Sequence, residues 1–365
     1  MKYDYIVIGA GLTGALFAHA LTKRGYNVLV VEKNKKIGGL CSTSLQHGIM
    51  VHDYGPHIFR TDDSDVWSFV NSVCEFQPIV YTPIAIYRGK AYNLPINMNT
   101  FAQLYGVTTP HEAYKALLED IVTSPCPPRS LEDYALAKYG YTVFKTLIEG
   151  YTLKRWGTSA QALPPCLLSD IPLRLTYNNS YYEEKHQGVP KLGYTAFIAR
   201  LLEGSDIAIQ SEYDMPFEDF VRNVSKRKGV IYTGRLDELF NYRYGKLEFR
   251  SLSYEHIYYG NENNLQGVSV INYTDLDVPY LRSIEHKHFL NQQCKGTMIT
   301  YEYPSEGGMP MYPVCDDKNL ALQRRYRAMA DKIPNLICTG RLADFRPYNM
   351  AQIVRNVMDW EKELK

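Results

Sequence analysis

The stretch DYIVIGAGLTGALFAHAL, residues 4–21, carries the clearest indication of the fold of this chain. Tyr5 to Ile8 form a short apolar, β-branched run that is typical of a buried parallel strand. Gly9, Gly11 and Gly14 follow with the spacing GxGxxG. In this motif the first glycine makes a tight turn, the second lets the backbone approach a pyrophosphate, and the third lets the helix pack closely on the strand. The stretch therefore predicts a strand that runs into a phosphate-binding helix.

The residues that follow complete a βαβ unit. Residues 15–23 predict a helix, and residues 27–31 predict a second buried strand. Glu32 stands directly after that strand, where an acidic residue can accept hydrogen bonds from ribose hydroxyls. A secretion signal does not fit, because Asp4 interrupts the basic segment that such a signal requires. We therefore predict a dinucleotide-binding site.

Two further segments favour FAD over NAD. Gly38 and Gly39 form a diglycine turn after Glu32, which resembles the extended dinucleotide motif of glutathione-reductase and amine-oxidase flavoproteins. Near the other end, residues 335–341 predict a strand that enters a Gly-Arg turn, and residues 349–352 predict the start of a terminal helix. In those flavoproteins this strand, turn and helix hold the ribityl chain of the flavin, so the resemblance implies FAD.

The composition excludes several functions. The net charge of +1 does not favour nucleic acid or acidic lipid, and no apolar run approaches the roughly 20 residues of a membrane span. Seven cysteines without a CxxC pair predict buried, reduced thiols in a cytoplasmic protein. The 31 tyrosines either suit a wet cleft that binds a sugar or a base, or reflect compositional drift.

The middle of the chain predicts two further units. A proline-rich break at residues 124–128 lies between residues 100–122 and 130–149, which both have helical spacing and predict a helical insertion. Three β-rich segments predict an antiparallel sheet: residues 268–273, 282–289 and 297–303. This places His286 and His288 on one face of one strand, where packing is favoured over metal binding because a third ligand is missing. We predict no metal site.

Six motifs together resemble the UDP-galactopyranose mutase family, nearly from end to end. They are GPHIF (55–59), YNLPINMNTF (92–101), GYTLKRWG (150–157), IPLR (171–174), VPYLR with IEHKHF (278–282 and 284–289) and GRLA (340–343). The resemblance implies an α/β protein: a Rossmann-type FAD-binding domain, an inserted helical domain and a twisted antiparallel β-sheet domain. The expected bounds are 1–75, 191–247 and 330–365 for the FAD-binding domain, 98–166 for the helical domain, and 76–97, 167–190 and 248–329 for the sheet and substrate domain.

The resemblance also implies an activity. It implies an isomerase that interconverts the pyranose and furanose forms of a nucleotide-diphosphate sugar, as in galactofuranose supply for bacterial surface polysaccharides. The resemblance further implies that the flavin is reduced by NAD(P)H or another external reductant, because in this family its N5 atom is the covalent nucleophile. A cytoplasmic homodimer is expected. Two alternatives stay open: an amine-oxidase-like flavin oxidoreductase, and a nucleotide-sugar-binding protein that has lost catalysis.

Site residues follow from the dinucleotide motif and, for the remainder, from the resemblance. The expected catalytic residues are Arg174, Arg282 and His57, with Arg174 on a mobile loop near residues 167–177. Arginines suit this role because each offers bidentate bonds to phosphate. The expected cofactor-binding residues are Gly9, Gly11, Thr13, Gly14, Glu32, Lys33, Gly39, Leu40, His57, Ile58, Arg341 and Met350. The expected substrate-binding residues are Tyr81, Tyr151, Thr152, Trp156, Arg174, Tyr181, Asn272, Arg282, Tyr312 and Tyr348.

The chain departs from the family pattern at the expected sugar pocket. Arg60 stands where galactose-specific members usually have histidine, and Tyr81 where they have asparagine. Pro347 and Asn349 stand in place of the first tyrosine and the acid of a Tyr-Tyr-Asp motif. Arg60, Pro347 and Asn349 are therefore the expected specificity residues. The substrate stays open among UDP-galactose, dTDP-fucose and UDP-N-acetylgalactosamine.

Overall fold

The structure is a computed structural model that describes residues 2–123, 127–168, 171–210 and 217–364. Its strands, in chain order, are β1 (Tyr5–Ile8), β2 (Val28–Glu32), β3 (Thr43–Gln46), β4 (Ile49–His52), β5 (Phe59–Thr61), β6 (Phe76–Pro78), β7 (Ile84–Tyr87), β8 (Lys90–Asn93), β9 (His186–Pro190), β10 (Asp206–Ile209), β11 (Gly229–Tyr232), β12 (Phe249–Tyr259), β13 (Val270–Tyr273), β14 (Arg282–Glu285), β15 (Thr297–Ser305), β16 (Tyr312–Pro313) and β17 (Leu336–Cys338).

Its helices, in the same order, are α1 (Leu12–Lys23), α2 (Ser64–Val73), α3 (Met98–Tyr105), α4 (Pro110–Asp120), α5 (Leu131–Tyr139), α6 (Tyr141–Val143), α7 (Glu149–Trp156), α8 (Gly193–Leu201), α9 (Phe217–Ser225), α10 (Leu236–Leu239), α11 (Asp317–Ala330) and α12 (Met350–Glu363). A π-helical turn, Phe144–Ile148, joins α6 to α7.

A five-stranded parallel sheet in the order β10-β2-β1-β11-β17 forms the first layer. The predicted strands at residues 5–8 and 27–31 are confirmed as β1 and β2, and the predicted helix begins at Leu12, between the second and third glycines and three residues before the predicted start. The predicted C-terminal strand and terminal helix are confirmed as well; β17 joins this sheet and α12 packs on α1. The Rossmann-type architecture is confirmed.

The structure shows why the first and third positions of the motif require glycine. Gly9 has φ +107°, and a Cβ there would lie 2.2 Å from Thr233 Oγ1. A Cβ on Gly14 would lie 1.9 Å from the carbonyl oxygen of Gly9. Only glycine therefore allows the turn and the close approach of α1 to the strand.

A seven-stranded sheet in the order β16-β12-β15-β14-β13-β7-β8 forms the second layer. The predicted antiparallel pairing holds for its described strands except at β7 and β13, which run parallel. The prediction of one strand from 282 to 289 is wrong: β14 ends at Glu285, and His286–Phe289 form a 3-10 turn. His286 and His288 therefore do not share a strand face; His286 is buried, and its Nε2 atom is 2.6 Å from Thr300 Oγ1.

The predicted helical insertion is built from α3 to α7. Three of these helices begin with reciprocal capping boxes, in which Asn97, Thr109 and Ser130 each accept a hydrogen bond from the third residue of the helix. Their apolar faces pack around one core that includes Phe101, Tyr139 and Phe144. Residues 124–126 of the predicted proline-rich break lie outside the described residues.

Of the six described cysteines, three are buried: Cys41, Cys74 and Cys338. The prediction of buried thiols is therefore wrong for Cys166, which is exposed, and too strong for the half-buried Cys294 and Cys315. Cys126 lies outside the described residues. Within those residues, none of the helices is both long enough and apolar enough to span a bilayer.

Candidate active site

A cavity of about 980 Å³ lies at the carboxyl edge of the parallel sheet. Residues that end or follow β1, β2 and β11 line it, together with Arg341 from the turn after β17. The carboxyl edge of an open parallel sheet is where such folds bind their ligands. The position and size of this cavity therefore suit an extended dinucleotide.

The N-terminus of α1 supplies a place for phosphates. The helix begins after Gly11, and no side chain accepts a hydrogen bond at this cap. Its first backbone N–H groups are thus available to an anion, which the helix dipole also favours. A Cβ on Gly11 would meet nothing closer than Gly39 Cα at 3.9 Å, so the protein itself has room for one. The residues therefore fit a bound pyrophosphate, which would need that space.

Glu32 ties the end of β2 to the glycine turn. Its buried carboxylate accepts hydrogen bonds from Ala10 N at 2.7 Å and from Asn34 N at 2.8 Å. Because each carboxylate oxygen has more than one lone pair, Glu32 can still accept from a ribose hydroxyl. The diglycine turn also contacts the glycine turn after β1, since Gly38 N donates to Ala10 O at 2.9 Å.

Ten of the twelve expected cofactor residues line this cavity: Gly9, Gly11, Thr13, Glu32, Lys33, Gly39, Leu40, His57, Arg341 and Met350. The other two lie elsewhere. Gly14 is at the contact between α1 and the first turn, and Ile58 packs against an apolar cluster that contains Tyr81. The sequence analysis missed Asn34 and the turn Thr233-Gly234-Arg235, which also line the cavity. The strand-to-glycine pattern at the end of β11 is a signal that could have found this turn.

His57 lies at the inner wall of the cavity as a neutral ring. Burial, followed by the charge of Arg341, lowers its pKa to about 4. Its Nδ1 atom is 2.9 Å from the Gly55 carbonyl oxygen, and its backbone N–H donates to Nδ1 of His52 at 3.2 Å. With the proton on Nδ1 to donate to Gly55, Nε2 is left as a hydrogen-bond acceptor.

Arg282 and Glu302 form a buried ion pair beside this wall. Arg282 Nη2 is 2.6 Å from Glu302 Oε2, and Arg282 Nε is 3.0 Å from Oε1. The two side chains are 17% and 1% exposed, so the charges are shielded from water. Gly55 adjoins the pair, because a Cβ there would lie 3.0 Å from Glu302 Oε2. The turn that carries His57 therefore packs on the ion pair.

Tyr151 and Tyr312 connect this ion pair to the cavity. Both pack against an apolar cluster formed by Leu252, Leu281 and Met311. The cavity-lining residues Leu40, Tyr54 and Met309 pack against the same cluster. Burial raises the pKa of Tyr151, so its hydroxyl stays protonated and can donate to an anion. The expected substrate residues Tyr151, Arg282 and Tyr312 thus adjoin the dinucleotide cavity.

A group of packed tyrosines includes Tyr81, which is within electrostatic range of Arg282. Tyr81 is buried, and its ring stacks on that of Tyr182 with centroids 5.5 Å apart. Tyr181 packs edge-on at 5.7 Å from Tyr81. The Arg60 guanidinium lies 4.2 Å above the Tyr182 ring and forms an ion pair with Glu184. The charge of Arg60 is therefore balanced within the protein.

Arg174 binds its own loop in this structure. Its Nη2 atom donates to the carbonyl oxygens of Ser180 at 2.5 Å and Tyr181 at 3.1 Å, and Nη1 is 3.3 Å from Glu183 Oε1. The Arg174 side chain is 13% exposed, whereas Glu183 is 69% exposed, so water screens that ion pair. Residues 169 and 170 of the expected mobile loop lie outside the described residues.

The remaining expected residues have varied settings. Asn272 pairs with Arg282 across β13 and β14, and its Nδ2 donates to Ile84 O at 3.2 Å. Tyr348 lines the cavity. Thr152 and Trp156 are buried, with Trp156 in the helical core.

The two expected specificity residues near the C-terminus differ in setting. Pro347 is exposed. Asn349 Oδ1 caps α12 by accepting from Gln352 N at 2.8 Å. The Asn349 side chain thus has a structural partner in its own helix.

The sequence analysis also missed two charged residues of this site, Glu302 and Arg155. Arg155 follows Tyr151 by four residues, a helical spacing that places the two side chains on one face of α7. That spacing is a signal that could have found Arg155. Glu302 has no comparable signal, because only the pairing of β14 with β15 places it opposite Arg282.

The fold and the site define a class: a Rossmann-type dinucleotide-binding enzyme with an arginine- and tyrosine-lined cleft next to the dinucleotide. Comparison with known proteins refines it. Residues 146–347 match the family model described as UDP-galactopyranose mutase, and residues 7–73 match an NAD(P)-binding Rossmann-like domain. The chain belongs to the UDP-galactopyranose mutase family, which is a family of isomerases.

Individual relatives agree with this assignment. A probable UDP-galactopyranose mutase of Klebsiella pneumoniae is 34% identical over 357 residues, which cover 95% of this chain and 91% of that protein. A dTDP-fucopyranose mutase of Escherichia coli is 33% identical over 365 residues, with 97% and 96% coverage. The crystal structure of a reduced UDP-galactopyranose mutase matches with a TM-score of 0.77 at 14% identity, and the match covers 100% of this chain and 94% of that one. At this identity the structural match supports the fold alone.

Proposed function

We propose that this protein is an FAD-dependent mutase that interconverts the pyranose and furanose forms of a nucleotide-diphosphate sugar. The observation that carries the proposal is the contact between two sites. The dinucleotide cavity and the cleft of Arg282, Tyr151 and Tyr312 are joined by a shared apolar cluster. A cofactor in the first site would therefore adjoin a diphosphate ligand in the second.

The bound flavin, in its reduced form, would supply the nucleophile for the anomeric carbon. The chain's own residues have two tasks. Arg282 and Arg174 hold the diphosphate and balance its charge as it leaves the sugar, with hydroxyl donors from Tyr151 and Tyr312. His57, as a neutral ring, can accept a hydrogen bond through Nε2 without adding a positive charge beside Arg341.

The sugar is a finer question. The two relatives named above act on different nucleotide sugars according to their names, and their identities to this chain differ by one percentage point. We propose that Arg60 influences sugar choice indirectly. It lies over Tyr182, which stacks on Tyr81 near Arg282, so a change at Arg60 would shift Tyr81.

The test is product chemistry on the reduced protein. Protein loaded with FAD and reduced by dithionite is incubated with UDP-galactose, UDP-N-acetylgalactosamine and dTDP-fucose, each in both ring forms, and the products are separated by chromatography. A mutase converts one ring form into the other without consuming an oxidant. Stoichiometric consumption of an oxidant would favour the amine-oxidase-like alternative, and binding without conversion would favour a protein that has lost catalysis.

The oxidised protein is the control, since we propose that NAD(P)H or another external reductant is required. A double variant tests the sugar pocket: Arg60→His with Asn349→Asp should shift preference toward UDP-galactose. An unchanged preference would remove Arg60 and Asn349 from the list of specificity residues. A homodimer, a cytoplasmic location and a role in surface-polysaccharide synthesis remain predictions, which sedimentation, cell fractionation and the glycan content of a deletion strain would test.

A further inference from the structure

Arg155 is a cation without an acidic partner among the described residues. Its side chain is half-buried, and its Nε atom is buried without a hydrogen-bond partner in the described part of the chain. All three N–H donors of its neighbour Lys154 are satisfied, because Nζ donates to the carbonyl oxygens of Tyr273, Val278 and Tyr280. The described fold therefore satisfies Lys154 but leaves Arg155 available.

Arg155 faces the cleft of the candidate active site. Its guanidinium carbon lies 4.4 Å from the centre of the Tyr312 ring. It is one helical turn after Tyr151 on α7, and it is within electrostatic range of both Arg282 and Glu302. Tyr151 and Tyr312 pack on the cluster that borders the dinucleotide cavity. Arg155 therefore belongs to the same cleft as Arg282.

The charges of this cleft do not balance. Glu302 is an acid within electrostatic range of Arg155, but both of its oxygens already accept hydrogen bonds from Arg282. The group formed by Arg155, Arg282 and Glu302 therefore carries one net positive charge. A half-buried guanidinium whose Nε atom is shielded from water without an anion is unfavourable, so this site favours a ligand that brings negative charge. The planar fork of an arginine matches the oxygens of a phosphate.

We propose that Arg155 binds the diphosphate of the nucleotide sugar, as a third arginine beside Arg282 and Arg174. The proposal rests on the proposed function, because it assigns a residue to that same substrate. Arg155 lies on the helical insertion, whereas Arg282 lies on the seven-stranded sheet. A diphosphate between them would thus hold these two parts of the molecule together around the substrate.

The experiment is a series of binding measurements on the flavin-loaded full chain by isothermal titration calorimetry. The probes are uridine, UMP and UDP, and thymidine, dTMP and dTDP. Arg155→Gln should weaken binding of UDP or dTDP by roughly 10- to 100-fold, because one charge-assisted hydrogen bond is lost. Binding of the nucleosides should stay within about twofold. Arg155→Lys keeps a point charge and should give an intermediate affinity.

Arg88→Gln is the matched control, since Arg88 is exposed and lies 5.2 Å from the Tyr87 ring. It should bind every probe like the native protein. Native affinity for UDP and dTDP in Arg155→Gln would overturn this inference but would leave the proposed function standing. An equal loss for nucleosides and diphosphates would overturn it as well, because it would mean that Arg155 only positions α7. If the native protein bound no nucleoside diphosphate at all, the proposed function would fail together with the inference.

Discussion

Replacement of Arg282 should reduce stability and turnover for two separable reasons. In Arg282→Met, Glu302 keeps its charge but loses the three hydrogen bonds, of 2.6 to 3.0 Å, that now hold it. Because the Glu302 side chain is 1% exposed, water cannot replace the lost partner. Breaking a buried ion pair from one side costs about 3 to 5 kcal/mol. We expect the free energy of unfolding to fall by that amount.

A second substitution separates the two effects. In the double variant Arg282→Met with Glu302→Gln, the buried charge is gone, and we expect most of the lost stability to return. Turnover should not return, because the neutral amide introduced by Glu302→Gln cannot supply the positive charge that the diphosphate needs. Removing one group that stabilises charge in a transition state costs about 100- to 1,000-fold in kcat.

The assay combines urea unfolding with turnover by the reduced, flavin-loaded protein. The midpoint and slope of the unfolding curve give the free energy, and chromatography of the nucleotide sugars gives kcat and KM. The flavin absorbance should be native in all variants, since the expected defect is in the cleft.

The control is Arg355→Met. Arg355 Nε is 2.8 Å from Asp63 Oδ2, but the two side chains are 26% and 36% exposed. The loss should be about 1 kcal/mol or less, with native turnover. Two results would contradict these expectations. A loss below about 1 kcal/mol in Arg282→Met would mean that the Glu302 charge is not buried in solution. Native turnover in the double variant would mean that Arg282 does not serve the diphosphate.

Three other sets of substitutions test separate parts of the fold and the site. Gly14→Ala should lower the melting temperature, because its Cβ would lie 1.9 Å from a backbone oxygen. Gly11→Ala makes no contact under 3.9 Å, so it should fold normally but lose flavin absorbance. Equal flavin content in Gly11→Ala and in the native protein would contradict this expectation. Burial lowers the pKa of His52 to about 3, so below pH 6.5 the unfolded chain binds a proton that the folded protein does not. The native protein should therefore lose stability between pH 7 and pH 5, and His52→Gln should reduce this loss by about 2 kcal/mol in urea titrations. An unchanged loss would argue against a buried neutral ring. Arg174→Ala should lower kcat at least tenfold while flavin stays bound, because one charge-assisted phosphate contact is worth about 1.5 to 3 kcal/mol; kcat/KM near the native value would exclude Arg174 from the clamp.

The dinucleotide-binding unit can be predicted from short stretches of sequence. Gly9 and Gly14 contact each other across a few residues, so their spacing already contains the geometry of the turn. The terminal helix is equally local, because Asn349 and Gln352 cap it reciprocally. Local signals of this kind do not depend on distant parts of the chain, and they predicted β1, β2 and α12 closely.

The cleft, in contrast, is specified by contacts between distant segments. The pairing of Arg282 with Glu302 depends on the register between β14 and β15, and no local pattern specifies that register. The parallel contact of β7 with β13 joins segments nearly two hundred residues apart, which periodicity alone does not reveal. The same holds for Arg155, whose position over Tyr312 depends on how the helical insertion docks on the sheet. The periodicity of a segment indicates which face each of its side chains occupies. Long-range packing determines which charged and aromatic groups meet that face, and those groups determine what the site can bind.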